Sequence, residues 1–185
     1  MIPCGPGITS EERGRVVQLL RDSEREFLAL TRGLTDFEWT YKAAADRWSV
    51  QETAEHLILG EKVMLAKVQE ALAGPPHQDW EEEDARKTRF LDRVLPDRGR
   101  KATAPSFLEP HHNWTCQEAL TRYREVRATT LKFIEEVNAP MKNQLARHSF
   151  PVFGMLNAYQ WLLYIPLHNI RHNQQIAEAI GEIIR

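Results

Sequence analysis

His168 and His172 stand four residues apart, so on a helix both imidazoles leave the same face, one turn from each other. The same face carries Trp161, Ile165 and, a turn further on, Gln175 or Ile176, which makes it the apolar, inward stripe. A buried imidazole needs partners for its ring nitrogens, and two in adjacent turns repel when both are protonated. A divalent cation meets both demands, because it binds the neutral ring and draws two rings together. The pair is not the metalloprotease motif H-E-x-x-H, since Asn169 stands where that motif places its glutamate base. A structural pair that satisfies itself through hydrogen bonds fits the spacing as well.

The best third ligand is His56. It lies seven residues after Ser49, in line with Glu52, Thr53, Leu59, Gly60 and Val63, the stripe a bundle helix turns inward; its plain alternative is a hydrogen-bonded core histidine. His77 follows Pro76, and His111 and His112 fall in an irregular segment, so all three read as loop residues. His148, with Pro151 and Gly154 nearby, reads as a loop residue that could substitute as a ligand. Glu52, one turn from His56, is the candidate catalytic base or proton acceptor, although a capping role competes with that task. Glu55 points roughly 100° away from His56 and is the weaker choice. Asn169, Asn173, Gln174 and Gln175 supply amides for ring nitrogens not bound to metal, while Trp48, Trp161 and Tyr164 read as core or pocket lining.

Five helical segments must position these groups. The first opens at Thr9-Ser10-Glu11-Glu12 and runs to Arg32, with Gly33 ending it. Ser49-Val50-Gln51-Glu52 is a capping box that starts the second, which Gly74-Pro75-Pro76 stops near Leu72. A shorter, exposed helix follows from the acidic stretch Trp80–Asp84 to Val94. Thr115-Cys116-Gln117-Glu118 is another capping box, opening a helix to about Val137. The last starts with Asn157 as its cap and reaches Ala179 or beyond; Pro166 lies inside it and is expected to kink it. No strand pattern is visible. The expected fold is all-α: four main helices in a bundle plus an additional short one, in a single domain over residues 1–185.

The composition narrows the class. The 185 residues carry 24 Lys plus Arg against 26 Asp plus Glu, a formal charge of -2, which argues against a nucleic-acid binder. No run of about 18 apolar residues is present for a membrane span, and Glu11, Glu12 and Arg13 occupy the place of a signal peptide's apolar stretch. Cys4 and Cys116 form no CxxC pair. A reducing cytoplasm is the expected location.

Three stretches together resemble one family, the DinB/YfiT-like proteins: Trp48-Ser49-Val50-Gln51-Glu52-Thr53-Ala54-Glu55-His56-Leu57, the proline-rich segment Lys101 to Pro110, and His168-Asn169-Ile170-Arg171-His172-Asn173-Gln174-Gln175-Ile176. The resemblance spans residues 9–180. It implies an up-down-down-up four-helix bundle in which His56, His168 and His172 bind a divalent transition metal, zinc or nickel, often in a homodimer. It also implies a small-molecule substrate and either metal-dependent hydrolysis or S-transfer from a low-molecular-weight thiol. Three imidazoles leave such an ion an open position that suits both reactions. The reading from another class is a non-catalytic metal-binding bundle with a structural or sensor role in a stress response.

Overall fold

The computed structural model describes residues 6–78, 80–99 and 103–183, without the side chains of residues 82 and 83. Cys4 and the first two residues of the 101–110 stretch lie outside it. Helix α1 (Ser10–Leu30) starts at a Thr9–Glu12 capping box and ends before Gly33, whose φ of 75° suits a residue without a Cβ. Helices α3 (Val50–Ala73) and α5 (Cys116–Glu136) start at the Ser49–Glu52 and Thr115–Glu118 boxes. Between α1 and α3 lies a one-and-a-half-turn helix, α2 (Asp36–Thr40), with its own Thr35–Glu38 box. The same signature was present in the sequence there, but the segment reads as a linker because no apolar periodicity follows it.

Helix α4 (Trp80–Val94) is the shorter expected helix. A 3-10 turn, Ser106–Leu108, interrupts the connection to α5. Strands β1 (Leu145–Arg147) and β2 (Met155–Asn157) form an antiparallel hairpin that the sequence does not announce, since three residues are too few to show a period of two. Helix α6 (Ala158–Ile183) follows at once. Asn157 caps it as expected: its side-chain oxygen accepts from the Gln160 amide, and the Gln160 side chain accepts from the Asn157 amide. Pro166 is accommodated inside the continuous helix.

Contacts along the helices fix their directions. Arg13 at the start of α1 donates to the Ile134 and Val137 carbonyls at the end of α5, so these two run antiparallel. Gln51 at the start of α3 donates to the Trp114 carbonyl just before α5, so α3 and α5 run parallel. Arg47, before α3, pairs with Glu182 at the end of α6, so α3 and α6 oppose each other. Asn173, late in α6, donates to the Ser23 carbonyl and Glu26 in the second half of α1, which makes α1 and α6 parallel. The order is up-down-down-up, with α6 and α5 each packed against both α1 and α3.

Two apolar clusters fill the bundle. One contains Leu20, Val68, Ile134 and Leu162; the other contains Phe27, Ile58, Tyr123 and Ile176. Between them each of the four bundle helices contributes polar side chains instead. Arg127 on α5, 0% exposed, forms a two-pronged ion pair with Glu61 on α3 at 3.0 and 2.9 Å. It also donates to Ser23 Oγ and the Leu20 carbonyl on α1, and to Asn169 Oδ1 on α6 at 2.8 Å. Tyr123 donates to the same Asn169 oxygen, and Asn169 donates to Asn173. A buried pair survives in such a medium only when its remaining donors are also satisfied, and here they are.

Candidate functional site

One helix turn from this polar layer, α3 and α6 bring His56, His168 and His172 together. His168 Nε2 is 3.2 Å from His56 Nε2 and 3.1 Å from His172 Nε2. The three ligand atoms all lie within 4.8 Å of one another. Gly60 lies against this ring: a Cβ there would stand 3.4 Å from His168 Cε1. Trp48 packs on His56 with ring centroids 4.8 Å apart and lies 6.5 Å from His172, covering one side of the triangle.

The outer nitrogens determine what the inner ones can offer. His56 Nδ1 is 3.0 Å from the Leu108 carbonyl, which can only accept, so Nδ1 carries the proton and Nε2 presents a lone pair. His172 Nδ1 lies 2.9 Å from Gln175 Oε1, and the same oxygen accepts from the Arg98 guanidinium at 3.3 Å. Two donors on one side-chain atom identify it as the amide oxygen, so His172 Nε2 is also a bare acceptor. Both lone pairs face His168 Nε2. His168 Nδ1 is buried with no hydrogen-bond partner. Burial lowers all three basicities, His168 and His172 well below the ordinary histidine value; at these two the neighbouring imidazole charges push the same way, while the Leu108 carbonyl opposes the shift at His56. The neutral donor set thus converges on a point that calls for a cation.

The other candidate residues separate clearly. Glu52 remains in its cap: one carboxylate oxygen accepts from the Ser49 amide and the other from Lys42, each at 2.8 Å. Asn169 and Asn173 belong to the Arg127 layer rather than to the imidazoles, Gln174 is exposed, and Gln175 is the amide that reaches a ring. His77 is an exposed loop residue, as expected. His111 and His112 are loop residues too, but together with Glu55 they form a second cluster of ligand-type side chains. Glu55 does point away from His56, as its sequence position makes it the weaker base, and the loop it meets in that direction carries no sequence signal.

His148 stays outside the triangle. It stacks between Trp161 and Tyr164, with centroids at 4.9 and 5.1 Å, and its Nδ1 accepts from the Phe150 amide at 2.9 Å. Burial pushes its pKa down from 6.5 to about 4, and the Lys67 charge adds to the push. The unfolded chain therefore takes up a proton between these values that the folded chain refuses. This contribution to stability is complete above about 6.5 and declines as the pH falls towards 4. His148→Phe, which keeps the stack, is expected to lose stability less steeply than the unmodified protein over that window. Urea midpoints at pH 7 and 4.5 measure this, and equal slopes would refute it.

Comparison with known proteins agrees with this fold. YuaE of Bacillus subtilis, an uncharacterized protein, is 28% identical over 155 residues, which is 83% of this chain and 90% of YuaE. The structure of YfiT from Bacillus subtilis superposes with a TM-score of 0.64 at 13% identity, covering 96% of this chain and 90% of that one. YfiT is described as a probable metal-dependent hydrolase with an unusual four-helix bundle topology, and at this identity the likeness is one of fold. Among the described residues, no helix is long and apolar enough to cross a membrane. The sequence profile of the DinB superfamily matches residues 19–176, and the chain belongs to that superfamily.

Proposed function

We propose that the protein is a metal-dependent hydrolase acting on a small molecule, with one divalent transition-metal ion, zinc or nickel, held by His56, His168 and His172. The observation that carries this reading is the convergence of three Nε2 atoms whose Nδ1 partners leave at least two lone pairs facing inward. Two nitrogens bound to a tetrahedral ion at about 2.0–2.1 Å lie about 3.3 Å apart, close to the 3.1 and 3.2 Å found here. Structural zinc sites are closed by four protein ligands, and three leave a position for water or substrate. An ion there supplies Lewis acidity and brings the pKa of a coordinated water towards about 7.

The chain's own groups orient and shield that position. The Leu108 carbonyl and Gln175 fix two rings, and Trp48 excludes water from one side. Glu52 serves as proton acceptor only after giving up Lys42, which makes its catalytic role the most exacting part of the proposal. S-transfer from a low-molecular-weight thiol is the alternative use of the same open position. The thiol would come from outside, because Cys116 sits at the start of α5 with its sulfur 4.0 Å from the Thr31 carbonyl and its pKa raised by burial. A homodimer, as the family resemblance implies, in a reducing cytoplasm, as the cysteine usage suggests, completes the proposal.

Elemental analysis of untagged protein is expected to find about one equivalent of transition metal, lost in His56→Ala. A panel of ester, amide and thiol-transfer substrates then assigns the reaction. No metal after reloading with zinc or nickel would overturn the proposal, and metal without turnover would favour the non-catalytic bundle.

A further inference from the structure

We propose that Glu55 is a positioning residue for His56: its carboxylate clasps the 108–112 loop onto α3 and so delivers the Leu108 carbonyl to His56 Nδ1. This rests on the reading of the three imidazoles as a metal site. Glu55 is 1% exposed and adjacent to His56 in sequence, yet it points away from the triangle. Its Oε1 accepts from the His111 amide at 2.6 Å, the His112 amide at 2.8 Å and His112 Nδ1 at 2.7 Å, while Oε2 lies 3.0 Å from the His112 amide. Burial alone would raise the pKa of this carboxyl, but these donors outweigh it and keep the group ionised.

Glu55, His111 and His112 form another group of ligand-type side chains, but the loop already engages the carboxylate. Oε1 already takes three N–H donors, and His111 Nδ1 is turned to the Glu109 carbonyl at 3.0 Å. What the cluster does instead is fasten a strap. The far end is fixed where Trp39 Nε1 and Gln51 Nε2 both donate to the Trp114 carbonyl and where His112 stacks on Trp114 at 4.5 Å. At the near end, the 3-10 turn Ser106–Leu108 and Pro110 stiffen the backbone. The output of this rigid strap is the Leu108 carbonyl, 3.0 Å from His56 Nδ1. A carbonyl in that place sets the ring's tautomer and rotation and makes the inner nitrogen a better ligand, which is what partners of metal-binding imidazoles generally do.

Glu55→Gln keeps the size but turns an amide N–H towards the loop's own donors. Two readouts test the clasp, with Glu118→Gln as the control, because Glu118 caps α5 beyond the strap. In metal-free protein, nitrogen-15 NMR of the histidine side chains reports the His56 tautomer. It is expected to be Nδ1–H in the unmodified chain and in Glu118→Gln, and mixed in Glu55→Gln. Competition with a chelating dye for zinc is expected to show affinity lowered about 10–100-fold in Glu55→Gln and unchanged in the control. Unaltered tautomer and affinity in Glu55→Gln would overturn the proposal. If circular dichroism shows that Glu55→Gln does not fold, His112→Ala, which removes the ring's contacts with Glu55 and Trp114 but keeps the backbone amide, is expected to give a smaller loss in the same direction, and no loss would overturn the clasp. Absence of zinc binding by the unmodified chain would overturn the metal reading instead, and the tautomer comparison then decides alone whether Glu55 positions His56.

Discussion

Glu61→Ala is expected to cost about 3–5 kcal/mol, because it strands the Arg127 guanidinium inside the bundle with no counter-charge. Domains of this kind are held by about 5–15 kcal/mol in all, so the variant should be marginal, with its melting temperature lowered by about 6–20 °C. The loss is large for a reason of geometry. Arg127 is 0% exposed and spends its donors on α1, α3 and α6 at once, so no rotation brings it to water. Replacing both Glu61 and Arg127 with Met should recover part of the loss, since it is the unpaired charge more than the missing pair that destabilises. Urea unfolding of the two variants measures both effects. A loss below about 1 kcal/mol, no more than an average substitution, would mean that Arg127 finds another anion, and Glu24, whose charge already acts on it, is the one to examine.

His168→Ala is expected to abolish tight metal binding while leaving the helical circular dichroism intact. His168 Nε2 makes both of the short nitrogen–nitrogen contacts in the triangle, and the two remaining rings retain partners only at their outer nitrogens. If orienting partners alone are worth about 10–100-fold in affinity, loss of a ligand should exceed the top of that range. Two measurements check this: metal stoichiometry, and the rise in melting temperature on adding zinc, expected in the unmodified chain and absent in the variant. Equal stoichiometry in both would remove His168 from the ligand set.

The sequence made some of this legible and concealed the rest. Hydroxyls ahead of acidic residues at Thr9, and capping boxes at Ser49 and Thr115, place three of the four bundle helices within a residue of where they start, because a cap is a local contest between a side chain and the first free amides. The convergence of His56, His168 and His172 was legible for a similar reason: two lie at helical spacing on an apolar stripe, and the third sits on another inward stripe. The Arg127–Glu61 layer was not, since charged residues within amphipathic helices read as solvated faces, and only the packing of four helices shows that these two point inward. The Leu108 carbonyl was out of reach altogether. A backbone acceptor carries no sequence signal, and its arrival at His56 depends on the path of a loop 52 residues downstream.

The pairing of α3 with α6 has a kinetic consequence. His56 and His168 are 112 residues apart, and the parallel neighbours on either side of that pair can be joined only by long crossings. Contacts so distant along the chain carry the full entropy of loop closure and form late. A ligand that needs both rings therefore meets nothing to bind until assembly is nearly finished. Interactions absent from the transition state slow unfolding and leave folding untouched. Metal at this site would be a latch closed on a finished bundle rather than a nucleus around which the bundle forms, setting how long the fold lasts and not how fast it arises.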